Sequence, residues 1–133
     1  MGNRSRLHIV SVVIKEASCK AARRAIASYQ TVRNEDLRYF LSMAIVDEER
    51  FLDFRAGPEG EDPYLPDECG QVPAKDSKWR QDEVIANWIK RHAEKGGRII
   101  FHSLEGYGEV WGWEFDGKNR TRMLGLLPCG KWE

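Results

Sequence analysis

The sequence predicts an α+β fold with two helices on one face of a mainly antiparallel sheet, and three observations carry the prediction. A β-branched run, Leu7 to Ile14, passes directly into an alanine-rich stretch of helical composition, Lys15 to Gln30. A second helical stretch from Ser77 leads through Gly96-Gly97 into three apolar runs separated by polar turns. Between these halves Ala56 to Lys75 holds four of the five prolines and reads as a long loop.

A chain of 133 residues is long enough for one compact core and too short for two ordinary domains, so residues 1–133 are expected to form one unit. Five Trp, four Tyr and five Phe give it more ring area to bury than a disordered chain carries. No apolar run reaches the roughly 18 residues of a membrane span, and a soluble cytoplasmic protein is the expectation. Cys19, Cys69 and Cys129 form no C-x-x-C pair and are odd in number, which points to free thiols.

The elements follow in order. Leu7 to Ile14 is apolar on both faces, as expected of a strand between two layers. In the first helix Ala22, Ala25, Ile26 and Tyr29 fall on one stripe, with Lys20, Arg23 and Arg24 opposite. Residues 37–46 place Leu37, Tyr39, Leu41, Met43 and Ile45 in alternation, and the polar Asp47-Glu48-Glu49 separates them from the apolar run 50–55. A polar turn between two apolar runs predicts a hairpin of two strands.

The second helix is capped by Asp76 or Ser77 and buries the stripe Val84, Ile85, Trp88, Ile89 and His92. Strands are predicted at 98–104, 109–115 and 120–127, with turns at 106–108 and 116–119. Ile85, Trp88, Ile99 and Phe101 are expected in the core. Two βα units with a hairpin after the first helix suggest a ferredoxin-like split βαβ, extended by a C-terminal hairpin.

Four segments carry a resemblance. They are Arg50-Phe51-Leu52-Asp53-Phe54, Lys78-Trp79, Gly96-Gly97-Arg98-Ile99-Ile100-Phe101, and Gly108-Glu109-Val110-Trp111-Gly112-Trp113-Glu114-Phe115-Asp116-Gly117. Across residues 37–127 the chain resembles small uncharacterised ferredoxin-like proteins of phages and other mobile elements. The resemblance implies a fold and no shared catalytic residues, and the segment 56–75 stands as an insertion in it.

Catalytic and cofactor signatures are weak. Gly106-Tyr107-Gly108 through Gly112 has the wrong spacing for a dinucleotide loop and precedes a strand. His8, His92 and His102 sit at no metal-ligand spacing with each other or with the cysteines. Cys19, beside Lys20 and near Arg23, is the better placed thiol, whereas Cys69 lies among acids. No cofactor, no metal and no enzymatic activity are therefore expected.

Charge is segregated beneath a formal net charge of zero. Residues 1–38 hold eight Lys or Arg against three acids, and residues 47–76 hold ten acids against three bases. Such blocks steer partners of opposite sign. The expected function is a non-enzymatic protein-binding module, a mobile-element inhibitor or accessory protein that occupies a basic surface of a host protein. Its contacts would be Glu59, Glu61, Asp62, Tyr64, Asp67 and Glu68. The alternative is single-stranded nucleic acid on an aromatic sheet face formed by Trp111, Trp113 and Phe115 with Arg120 and Arg122. A homodimer is a further partner state that an exposed tryptophan face would imply.

Overall fold

In the computed structural model the described residues are 5–55, 64–67, 70–77, 82–103 and 110–124. Strand β1 (Ser5–Val10) leads to helix α1 (Cys19–Ala27), flanked by single 3-10 turns, and then to helix α2 (Glu35–Met43). A short hairpin follows, β2 (Ala44–Val46) and β3 (Leu52–Phe54), and then β4 (Tyr64–Asp67) and β5 (Gly70–Ser77). Helix α3 (Asp82–Lys90) precedes β6 (Arg98–Ser103), β7 (Val110–Phe115) and β8 (Thr121–Leu124). The fold is α+β, as the sequence predicts.

Six strands form one sheet in the order β4-β5-β1-β6-β7-β8, and β2-β3 form a separate pair. Every neighbouring pair in the larger sheet is antiparallel. Strands β5 and β6 each run antiparallel to β1, which lies between them, and α3 joins the two; two parallel strands separated by an antiparallel one make a split βαβ. Strand β1 takes its predicted central place, between β5 and β6.

One hydrophobic cluster joins the sheet to the helices. Leu7 and Ile9 of β1, Ile99 and Phe101 of β6, and Trp113 and Phe115 of β7 pack with Ala22, Phe40, Leu41, Ile85, Trp88 and Ile89. The four residues expected in the core are all buried there. Side chains alternate along a strand, so these positions define one helix-covered face.

Three helices cover that face rather than two, because residues 35–43 are helical. Asn34 sets the start: its Oδ1 accepts the Leu37 N–H at 3.0 Å, and Glu35 and Asp36 occupy the first turn where the helix dipole favours acids. Leu37, Phe40, Leu41 and Ala44 then fall at i, i+3, i+4 and i+7, and Phe40, Leu41 and Ala44 are buried. The alternation that predicted a strand included Tyr39 and Ile45, which are 43% and 44% exposed. The hairpin survives only as β2 and β3.

The predicted N-terminal strand ends early. Ser11 has φ of 52°, which turns the chain out of the sheet after Val10. Residues 12–15 then cross to the helical layer and are held from two sides: Val12 O accepts from Leu52 N (2.9 Å), and Val13 O from Glu94 N (2.8 Å). Val12 and Ile14 stay fully buried along this crossing.

The prolines of 56–75 do not exclude strands. Strand β4 pairs with β5 in the register Tyr64 to Pro73 and Pro66 to Gln71, and β4 is the outermost strand. A proline is tolerated where a strand faces no further neighbour, because its missing N–H breaks no ladder bond there. Ser77 ends β5, so the cap predicted at Asp76 or Ser77 lies in a strand and α3 begins at Asp82. The turn at 106–108 and the end of the predicted strand 120–127 lie outside the described residues.

Candidate binding surface

The second face of the sheet carries the other half of each alternation. On β1 these positions are Arg6, His8 and Val10; on β6, Arg98, Ile100 and His102; on β7, Val110, Gly112 and Glu114; on β8, Arg122 and Leu124. Register sets them in three rows across the strands. Arg6, His102 and Val110 form one row, His8, Ile100, Gly112 and Leu124 the middle row, and Val10, Arg98, Glu114 and Arg122 the third.

Arg98, His102 and Val110 are exposed, and Arg6, His8, Val10, Ile100, Glu114, Arg122 and Leu124 are half-buried. The Glu114 carboxylate accepts from Arg122 at 2.9 Å. The Arg98 side chain, opposite Glu114 in the register, makes no hydrogen bond to another described residue and is exposed. Asp76 of β5 stands opposite Arg6 in the register.

The sequence-predicted aromatic row lies on the opposite face. Phe115 is 0% and Trp113 7% exposed, both inside the core. Trp111 is half-buried, stacks on Phe101 with centroids 5.6 Å apart and planes 11° apart, and donates its indole N–H to the Asp82 carboxylate of α3. Bases cannot stack on rings that already support the helices. Arg122 points to the open face beside Glu114, and Arg120 binds Asp116 within the β7–β8 turn at 2.6 Å, so neither arginine adjoins those rings.

Asp116 is a structural carboxylate. Burial raises its pKa, but the Lys118 and Arg120 backbone N–H groups and the Arg120 guanidinium outweigh that and hold it below the ordinary 3.8. Asp47 is similar in role: its Oδ1 accepts from Glu49 N (2.9 Å) and Phe51 N (2.8 Å) and shapes the β2–β3 turn. Arg23 of α1 clamps the same turn through the carbonyls of Val46 and Asp47.

Of the predicted acidic contacts, Tyr64 and Asp67 lie on β4, opposite Pro73 and Gly70. Glu59, Glu61, Asp62 and Glu68 lie outside the described residues, as do Cys69 and Cys129. Cys19 is a free thiol, but it is buried and directs its sulfur at the Ile14 carbonyl (3.9 Å), which closes it to substrates.

The three histidines do not converge. His8 and His102 are on the open face, while His92 follows α3 and packs on Trp88 with centroids 4.9 Å apart. Its pKa is lowered from 6.5 by burial, with Arg91 and Lys15 adding to the effect. Among the described residues no group of three or more His, Cys, Asp or Glu is placed to hold a metal, and no helix is long and apolar enough to cross a membrane.

Comparisons with protein-family models, with curated proteins and with solved structures find no match. The open face is therefore read from its own chemistry. Sequence reasoning missed it by taking Leu7 to Ile14 as apolar on both sides. The alternations Arg6-Leu7-His8-Ile9 and Arg98-Ile99-Ile100-Phe101-His102 are the signal that could have found it.

Proposed function

We propose that this chain is a small non-enzymatic binding module that meets an anionic macromolecule on the open face of its sheet. The observation that carries this is the exposed pair Arg98 and His102 beside Arg6, His8 and Arg122, with Glu114 opposite Arg98 and Asp76 opposite Arg6 in the register. Arginine presents fixed donors to oxyanions and is weakly hydrated, so it gives up water readily on contact.

Net neutrality does not silence the face. Glu114 stands opposite Arg98 on the neighbouring strand, but its carboxylate is engaged by Arg122 at 2.9 Å, and the Arg98 side chain stays exposed. Elution from immobilised heparin tests the proposal. The double variant Arg98→Gln/His102→Gln should leave the column at lower salt than wild type, and unchanged elution would rule the face out.

A second reading rests on the β4–β5 hairpin. It sets Tyr64 and Asp67 on the edge strand β4; together with Glu59, Glu61, Asp62 and Glu68 these would meet a basic protein, such as the nucleic-acid channel of a host enzyme blocked by a mobile element. Changing the five acids to Gln or Asn should then abolish the salt dependence of binding to that partner, and an unchanged affinity would reject it.

A further inference from the structure

We infer that the anionic ligand of the open face is a single-stranded nucleic acid; this rests on the assignment of that face as the contact surface. The face offers two kinds of group at once. Guanidinium groups at Arg98, Arg6 and Arg122 suit phosphates, and the planar His8, His102 and Arg98 suit the faces of unstacked bases. Val10, Ile100 and Leu124 lie between them as an aliphatic floor, and Gly112 projects no side chain into the middle row.

Dimensions favour a single strand over a duplex. From β1 to β8 the face crosses three strand gaps, about 14 Å, and a six-residue strand is about 20 Å long, with rows two residues or roughly 6.7 Å apart. Such a surface holds about two or three splayed bases, as sheet-based RNA readers do. Duplex readers instead push a helix or ribbon into the major groove, and the alternating side chains here lie on a sheet with no described element projecting from that face.

The charge pattern orients the ligand along β6. Arg122 is engaged by Glu114 and Arg98 is exposed, so the open positive charge is centred on β6. A backbone following Arg98 and His102 along β6 keeps its phosphates there and lays its bases toward His8 on one side and Leu124 on the other.

Fluorescence anisotropy of the full chain with labelled 12-mers of dT and rU, and with a 12-base-pair duplex, tests this between 50 and 200 mM salt. Single strands should bind at least tenfold more tightly than the duplex. With two or three phosphate contacts, log K should fall against log salt with a slope of about −1.4 to −2.1. Arg98→Gln should weaken binding about tenfold and flatten that slope by about 0.7. His102→Phe should keep affinity that His102→Ala loses, which separates stacking from charge. Arg33→Gln, an exposed arginine between α1 and α2, removes the same charge elsewhere and should leave affinity unchanged.

The two levels fail differently. Heparin binding that depends on Arg98, without binding to either 12-mer, overturns the ligand and leaves the face. Oligonucleotide binding that Arg98→Gln and His102→Ala leave untouched overturns the face. Binding to poly-lysine in place of any oligonucleotide overturns both and supports the acidic hairpin.

Discussion

Gly112 of β7 lies against the carbonyl of Ile99 so closely that a Cβ added there would stand 2.1 Å from that oxygen. The close approach lets Trp111 and Trp113 both pack around Phe101, one stacked and one edge-on. The obstacle is backbone, so a methyl group cannot be accommodated by a rotamer change. Gly112→Ala should destabilise the fold by about 3 kcal/mol or more, at the upper end of overpacking costs, in urea denaturation.

Trp88 joins α3 to α2 through edge contact with Phe40 (6.3 Å) and to the crossing segment through His92. It is 6% exposed. Trp88→Ala should cost about 3–5 kcal/mol, the range for truncating a large buried aromatic. The same denaturation curves check it.

His92 sets a pH dependence. Its folded pKa lies below the ordinary 6.5 because burial disfavours the imidazolium. The unfolded chain therefore takes the proton first, and stability falls as pH drops below 6.5 until the folded pKa is reached. Above 6.5 both states are neutral at this site and nothing is lost. Melting temperatures of wild type and His92→Gln across pH 7 to 5 should diverge, with the variant the flatter.

Asp116 acts in the opposite range. Its depressed folded pKa gives stability that is full above 3.8 and is lost as pH falls through the lower folded value. Asp116→Asn should cost about 1–3 kcal/mol at neutral pH, the value of charge-assisted hydrogen bonds. Asp116 Oδ1 also accepts from the Lys118 and Arg120 backbone N–H groups of this turn, so the variant should loosen the β7–β8 hairpin in hydrogen exchange.

The C-terminal half was legible because its apolar period, turn residues and flanking glycines agree: β6 to β8 and the buried stripe of α3 fall within the predicted runs, although α3 starts at Asp82 and not at Ser77. Residues 37–46 misled because a ten-residue run of Leu, Tyr, Met and Ile fits both periods, and only the Asn34 cap separates them. Prolines in 56–75 masked β4 and β5, since a proline rules out a strand only where its N–H must bond. The aromatic row was visible as a row, but alternation alone does not say which side of a sheet the helices take. That choice was decided by Phe101, Ile99 and Leu7, which share the side of Trp113 and Phe115.

The account turns on which face meets the ligand, and backbone amide NMR during titration with the dT 12-mer reads this most directly. Shifts confined to Arg6, His8, Arg98, Ile100, His102, Gly112 and Arg122 and their strand neighbours are the predicted result. Saturating shifts in residues 47–55 and 64–77 with β6 unmoved, or no shifts at all, would contradict it.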